Sequence, residues 1–193
     1  MKKLITVLIT AMLLIASSAY AEGTLADADK AYWAGNYAQA IKLFKPLALK
    51  GDANAEFWLG IMYENGQGVK KDYVEAVKWY KLAAAQGYTQ AQYNLGKIYD
   101  VTQDYVEAAK WYRLVAEQGD KVAQSCLGYM YDYGHGVVQD YVKAHMWYNL
   151  AEAQGYKSVL GNRDIVAKQM TQQQIAEAQK LARECLARKY KGC

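Results

Sequence analysis

Cysteine and histidine are the side chains of this chain that could supply a nucleophile, a general base or a metal ligand. The sequence contains three cysteines and two histidines among its 193 residues. Neither His135 nor His145 has cysteine, aspartate or glutamate at the spacing typical of a zinc site. Asp132 is close to His135, but an acid and a histidine without a placed nucleophile do not make a catalytic triad. We therefore predict no cofactor, no metal and no catalytic set, and interpret His135 as a solvated loop histidine.

The first 21 residues predict a signal peptide. Two lysines precede an apolar run at residues 4–16, which is too short to span a hydrocarbon core of about 30 Å. Ala19 and Ala21 form an A-x-A cleavage site that would leave Glu22 as the new N-terminus. The alternative is an uncleaved membrane anchor. We expect cleavage and a periplasmic or secreted chain without stable membrane insertion, since no other stretch is apolar for long enough to span.

The charge balance excludes two classes of partner. Removal of the signal segment takes away two lysines and no acids, which lowers the formal net charge from +4 to +2. That charge is too small and too dispersed for a nucleic-acid footprint. No block of like charges indicates binding to a membrane surface. We therefore expect neither nucleic acid nor membrane as the partner.

An oxidising compartment gives the C-terminal cysteines a possible role. If the last helix continued to the chain end, Cys185 and Cys193 would lie about 12 Å apart, too far for a disulfide. Gly192 and the free chain end would instead allow the tail to fold back. In an exported protein we predict a bond between Cys185 and Cys193, with Cys126 left as a free, buried thiol.

A segment of similar sequence occurs three times, at residues 55–88, 91–120 and 123–156. Its landmarks recur at offsets of 32 or 36 residues: Gly60, Gly96 and Gly128, and Trp79, Trp111 and Trp147. The offset alternates because the middle copy lacks four residues where its neighbours carry a glycine loop. A period of this size is typical of stacked structural repeats.

Each copy predicts two helices joined by a loop. Leu59 and Tyr63 share one face of the first helix, and Gly60 beside them gives a second helix room to approach. Asp72 begins the second helix, and Glu75 three residues later predicts a capping box. Two such helices cannot bury their apolar faces alone, whereas stacked pairs can.

The pattern A-x-x-x-L-G-x-x-Y-x-x-G-x-G-V-x-x-D-x-x-x-A-x-x-W-Y-x-x-A-A-x-x-G resembles the Sel-one-like repeat family, a relative of tetratricopeptide repeats. The first and third copies fit it nearly throughout, and the second loses the G-x-G loop. The resemblance implies an all-α fold: a right-handed α-solenoid of about four to five helix-turn-helix repeats with a C-terminal capping helix.

The predicted organisation is a signal peptide (1–21) followed by a repeat array (22–193), with copies at about 22–52, 53–88, 89–120 and 121–156 and a cap at 157–193. The first copy is degenerate and carries Pro46 inside its second helix. In the cap, Thr171 and Gln174 form a capping box that begins a helix running to about Lys189.

In tetratricopeptide-like arrays the first helix of each pair lines a concave groove, and the resemblance implies the same here. The groove positions that this predicts are Phe57, Ile61, Tyr93, Lys97, Tyr129 and Asp132. Aromatic and charged side chains that differ from copy to copy are typical of a peptide-binding surface. The alternative is that these residues are ordinary packing or solvated residues.

Two functions follow from the resemblance. The first is a non-catalytic adaptor of the cell envelope that binds a protein or peptide partner in the groove. The second is a β-lactamase-like hydrolase or binder of cell-wall ligands, because some relatives with a disulfide in each repeat are credited with penicillin binding or hydrolysis. The first two full copies of this chain contain no cysteine. We therefore favour the adaptor.

Overall fold

The computed structural model describes residues 23–193, and the chain is all-α over that range, as predicted. Ten α-helices are joined by short loops, and no strand occurs within these residues. The helices are α1 (Leu25–Trp33), α2 (Tyr37–Leu49), α3 (Ala53–Asn65), α4 (Tyr73–Ala85), α5 (Thr89–Val101), α6 (Tyr105–Ala116), α7 (Lys121–Tyr133), α8 (Tyr141–Ala153), α9 (Leu160–Ala167) and α10 (Gln172–Ala187). The signal peptide and its cleavage site, predicted at residues 1–21, lie outside the described residues.

Side-chain caps begin most of the helices. Asp104 accepts a hydrogen bond from the backbone N–H of Glu107 at the start of α6, and Asp72 does the same for Glu75 at the start of α4. The predicted capping boxes are only half formed there, because the N–H of Asp72 and that of Asp104 donate to the carbonyls of Tyr63 and Tyr99. The carboxylates of Glu75 and Glu107 pair with nearby lysines instead. Both halves of the box are present at Thr24 before α1 and at Thr171 before α10.

The helices form two compact units, which divide after Trp79. In the first unit, α1 packs on α2 and α2 on α3. Phe44 and Leu59 are buried between them, and the ring of Trp58 stacks on Phe44 with 6.1 Å between centroids. The glycine loop after α3 lies against the start of α2: a Cβ on Gly68, whose φ is +72°, would come within 2.6 Å of the Tyr37 carbonyl oxygen. Gly68 is therefore required by both backbone conformation and close approach.

In the second unit, consecutive helices from α5 to α8 pack on one another, and α9 and α10 pack on α8. The interior glycines of the first helices are contact points. A Cβ on Gly96 of α5 would lie 2.8 Å from the ring of Tyr112, and one on Gly128 of α7 would lie 2.7 Å from the ring of Tyr148. Each glycine thus lets an aromatic ring of the following helix lie against the helix backbone, as predicted for the equivalent Gly60.

Buried leucines confirm the predicted core face. Leu59 is 1% exposed, and Leu95 and Leu127 are fully buried. Since these leucines occupy the same position in three copies, each copy buries the same side of its first helix.

Glutamine side chains link consecutive helix pairs of the second unit. Gln92 donates to the carbonyl of Ala84, which lies in the last turn of the helix before it, and Gln124 repeats this bond to Ala116. Gln118 donates to Gln92, and Gln154 donates to Gln124 in the next pair. The bonds satisfy carbonyls that a helix end leaves without an intrahelical partner. The sequence analysis missed this repeated contact.

The C-terminal segment folds back on the second unit. The first part of the predicted cap, residues 157–170, forms a 3₁₀ turn, Lys157–Val159, followed by the short α9. After α10 ends at Ala187, the chain reverses and the expected disulfide joins Cys185 to Cys193, with 5.6 Å between their Cα atoms. The tail places the ring of Tyr190 against the backbone of Gly119. Among the described residues, no helix is long and apolar enough to cross a bilayer.

Replacement of Gly96 with alanine tests the close contact between helices. We expect Gly96→Ala to lower the free energy of unfolding by about 1–3 kcal/mol, because the added methyl group overpacks a buried ring. Urea unfolding followed by circular dichroism measures the change.

The matched control is Gly161→Ala in α9, where a Cβ would meet nothing within 4 Å. We expect that variant to gain about 0.5–1 kcal/mol, since alanine is the better helix former. Equal gains from both substitutions would contradict the packing role of Gly96.

Candidate functional site

The predicted groove residues all lie on first helices of their pairs. In the first unit, Phe57 and Ile61 are half-buried on α3. In the second unit, Tyr93 and Lys97 lie on α5, and Tyr129 and Asp132 on α7. We call the α5 and α7 surface that carries these four residues the first-helix wall.

Residues of the first-helix wall differ in how far they reach solvent. Lys97 is exposed and Tyr129 is 38% exposed. Tyr93 is half-buried instead, because its ring packs against Tyr112 with 5.8 Å between centroids. Burial raises the pKa of Tyr93 to about 12. Tyr93 thus belongs in part to the core, which agrees with the alternative that some groove positions are packing residues. Tyr129, in contrast, is available for contact with a partner.

An aromatic cluster around His135 lies at one end of the first-helix wall. The His135 imidazole stacks on Tyr105 with 4.3 Å between centroids and an interplanar angle of 16°. Tyr129 and Tyr133 lie 5.6 and 5.9 Å from the same imidazole, and 4.5 Å from each other. His135 lies in the loop as predicted, but its ring is packed among these aromatic side chains and is only half-exposed. Its Nδ1 is buried and has no hydrogen-bond partner among the described residues.

The glycine loop explains why His135 is held there. Gly136 has φ +67°, and a Cβ on it would lie 2.0 Å from the carbonyl oxygen of Tyr105. The loop backbone therefore packs directly on the start of α6, which brings the His135 ring onto the Tyr105 ring. The same kind of contact joins Gly68 to Tyr37 in the first unit. The second glycine of G-x-G is thus a packing residue.

Two carboxylates lie beside the aromatic cluster without a lysine or arginine partner among the described residues. Asp100 and Asp132 occupy the last turns of α5 and α7, where the helix dipole disfavours negative charge. Burial raises the pKa of both carboxyl groups, and His135 near Asp100 partly opposes this shift. Within residues 23–193 neither makes an ion pair.

Beneath the wall, Tyr148 is buried and Cys126 is half-buried. Tyr148 is fully buried, and its hydroxyl has no hydrogen-bond partner among the described residues. Asp132, Tyr129 and Tyr133 are its charged or polar neighbours. Burial raises the pKa of the Cys126 thiol to about 11, although hydrogen bonds with Tyr112 and Tyr93 oppose the shift. Cys126 is therefore a protonated thiol at neutral pH and a poor nucleophile.

The other candidates for chemistry have structural surroundings. His145 is 4% exposed and its Nδ1 pairs with the Asn149 side chain at 3.0 Å. Burial lowers the pKa of His145, which favours its neutral form. Over the part of the chain that the structure describes, no three histidine, cysteine or acidic side chains could together hold a metal ion. The surface as a whole offers stacking, hydrogen bonds and negative charge for binding.

Tyr105, Tyr133 and His135 are site residues that the sequence analysis did not select. Tyr133 is the last residue of α7 and His135 lies in the glycine loop that follows it, so both flank Gly134. A second signal was available: Glu64, Asp100 and Asp132 place an acid at the same position in all three copies. Groove positions were expected to vary, but this one keeps its charge.

Fold and surface together define a helix-pair repeat protein of the α-solenoid class. The sequence profile of the Sel1 repeat, the family named above as Sel-one-like, matches residues 9–52, 53–88, 89–120 and 122–156. The chain belongs to the Sel1 repeat family. Sel1 repeat proteins are generally adaptors for protein interaction and typically non-catalytic scaffolds.

Two solved structures are similar to the chain. A Sel1 repeat protein from Oxalobacter formigenes is 28% identical, with a TM-score of 0.63 over 84% of this chain and 75% of its own. A second similar structure is c5321, a protective antigen of uropathogenic Escherichia coli strains with an SLR fold. Its sequence is 30% identical and the TM-score is 0.45. The match covers 78% of this chain and 41% of the c5321 chain. No curated protein matches the sequence at a significant level.

Substitution of Asp132 tests whether this carboxylate has a structural role. Its pKa is raised above the ordinary value of 3.8 in the folded chain, so this group's contribution to stability falls as pH rises through that range. We expect Asp132→Asn to raise the free energy of unfolding at pH 7 by about 0.5 kcal/mol, from the relieved helix dipole. Thermal melts at pH 7 and pH 3.5 measure the gain, which should vanish at the lower pH.

The matched control is Asp120→Asn at the start of α7, where the carboxylate accepts from the backbone N–H of Val122 and Ala123. We expect Asp120→Asn to lower the free energy of unfolding, since a negative charge at the start of a helix interacts favourably with the helix dipole. Destabilisation by Asp132→Asn at pH 7 would mean that this carboxylate holds the fold together.

Proposed function

We propose that the chain is an exported, non-catalytic adaptor that binds a protein or peptide partner on the first-helix wall. The observation that carries this proposal is the exposed aromatic pair of α7: Tyr129 is 38% and Tyr133 58% exposed, and their rings lie 4.5 Å apart. Adjacent exposed rings are costly for an unbound protein and are enriched at interfaces.

The rigidity of the wall supports the same proposal. Tyr129 and Tyr133 are one helical turn apart on α7, and α7 is fixed by the Gly128–Tyr148 contact beneath it. The His135 loop is fixed in turn by Gly136 against Tyr105. A surface held in place before binding loses little conformational entropy when a partner docks. Phe57 and Ile61 occupy the equivalent positions of the first unit and remain predicted contacts.

Photocrosslinking in intact cells tests the position of the partner. We expect p-benzoylphenylalanine in place of Tyr129 to give one or a few discrete protein adducts, because the side chain would lie in the interface. The matched site is Leu114 on α6, which is 41% exposed on a second helix. Identical adducts from both sites, or none from Tyr129, would contradict binding on this wall.

Localisation has its own test. We propose that cleavage after Ala21 releases the chain into the periplasm or medium, on the basis of the signal-like segment at residues 1–21. Intact-mass analysis of the envelope fraction should give a chain that begins at Glu22 and is lighter by two hydrogens, owing to the Cys185–Cys193 bond. A cytoplasmic chain that retains Met1 would contradict export.

No structural observation favours the alternative of a β-lactamase-like hydrolase. Its direct test is nitrocefin turnover by the purified chain. Turnover that a substitution at Tyr129 abolishes would replace the adaptor by an enzyme.

A further inference from the structure

The acidic end of the first-helix wall indicates the chemistry of the partner. We define this acidic end by Asp100, Asp132, Tyr105, Tyr129, Tyr133 and His135. Resting on the proposed function, we infer that it binds a cationic side chain, arginine above all, of a peptide segment of the partner. Three independent features of the described residues support this inference.

The first feature is that Asp100 and Asp132 have no evident role in stabilising the fold. Asp104, Asp120 and Asp140 begin helices and accept backbone hydrogen bonds there. Asp100 and Asp132 lie at the opposite ends of their helices and are partly buried. Neither pairs with a lysine or arginine among residues 23–193, and His135 is the basic side chain near Asp100. Since each is unfavourable in the free chain, a cation from outside is the missing counter-charge.

The second feature is the unpartnered Tyr148 hydroxyl. The residue is fully buried, and Asp132, Tyr133 and Tyr129 act on its hydroxyl electrostatically. A tyrosine oxygen can accept a hydrogen bond from a guanidinium or ammonium N–H. The Nδ1 atom of His135 is a second buried atom without a partner in the same cluster, and it accepts in one tautomer. The cluster under the acidic end therefore contains two buried polar atoms that no described residue satisfies.

The third feature is the arrangement of the rings. Tyr129 lies among Asp100, Tyr105, Tyr133 and Asp132, all of which act on its hydroxyl electrostatically. Ring faces next to carboxylates attract a cation through the aromatic quadrupole as well as the charge. Arginine suits this site better than lysine, because its planar guanidinium stacks on rings and offers five donors in a fixed geometry.

Selection from a random dodecapeptide library displayed on phage, with the purified chain as bait, tests the inference. We expect arginine to be enriched in the selected peptides. The net charge of the chain is +4, or +2 after signal cleavage, so attraction to the whole molecule favours acidic peptides instead. Arginine enrichment would therefore report the local site.

The decisive variant is Asp100→Asn with Asp132→Asn, which we expect to fold at least as stably as the wild type. Its matched control is Glu177→Gln with Glu184→Gln on α10, which changes the net charge equally. Arginine enrichment should persist on the control and disappear on the asparagine variant. For a selected peptide, arginine replaced by uncharged citrulline should weaken binding to the wild type by about tenfold in fluorescence anisotropy, and leave binding to the asparagine variant unchanged.

The other outcomes separate this inference from the proposed function. Peptides that require Tyr129 but show no preference for arginine would overturn the cation site and leave peptide binding on the wall intact. Arginine enrichment that survives the asparagine substitutions would also overturn the cation site. Failure to select any peptide above background would count against both.

Discussion

The contact between an interior glycine of one helix and a tyrosine ring of the next is the interaction on which the second unit depends. At Gly96 and Gly128 the missing side chain lets Tyr112 and Tyr148 lie against the helix backbone. Each ring also interacts with the first-helix wall: Tyr112 contacts Tyr93, and Asp132 acts on the Tyr148 hydroxyl electrostatically. The contact that packs a helix pair therefore also supports the surface above it.

The polar side chains fall into two groups: those whose hydrogen bonds stabilise the repeat, and those that make no stabilising contact within it. The N-terminal aspartates cap helices, and the buried glutamines join the end of one pair to the start of the next. The hydrogen bonds of such groups offset the free-energy cost of removing them from water. Within the described residues, the Tyr148 hydroxyl has no hydrogen-bond partner and the Asp132 carboxylate makes no ion pair, while His135 is the one basic side chain near Asp100. Unpaired groups concentrated on one surface are typical of a binding site, because local rules for stability are broken there.

The sequence predicted the fold well because repetition makes its signals redundant. The leucine and glycine positions of three copies indicate the same helical face, so one position that departs from the pattern does not change the predicted fold. The capping boxes were predicted too strongly, since the N–H of Asp72 and that of Asp104 donate to backbone carbonyls, and lysines three residues later pair with Glu75 and Glu107. The 3₁₀ turn before α9 was missed because that segment has no second copy to compare with.

The candidate site was harder to predict, because its residues come together only when loops pack. Tyr129 and Asp132 were found by their position on the first helix. The packing of His135 was not predicted, since nothing local shows that Gly136 presses the loop onto Tyr105, thirty-one residues earlier. Tyr93 was predicted as a groove residue, but its ring is half-buried because it packs against Tyr112. Periodicity identifies the face of a helix, but it does not measure how deeply each side chain is buried.

The central claim is that different residues stabilise the repeat and bind the partner. A parallel scan, in which each variant is scored for melting temperature and for affinity to one arginine-containing peptide, tests it most directly. Alanine at Leu95 or Leu127 should lower both quantities, whereas asparagine at Asp100 or Asp132 should reduce affinity without lowering the melting temperature. If affinity fell only in proportion to stability at every position, the surface would have no binding role of its own.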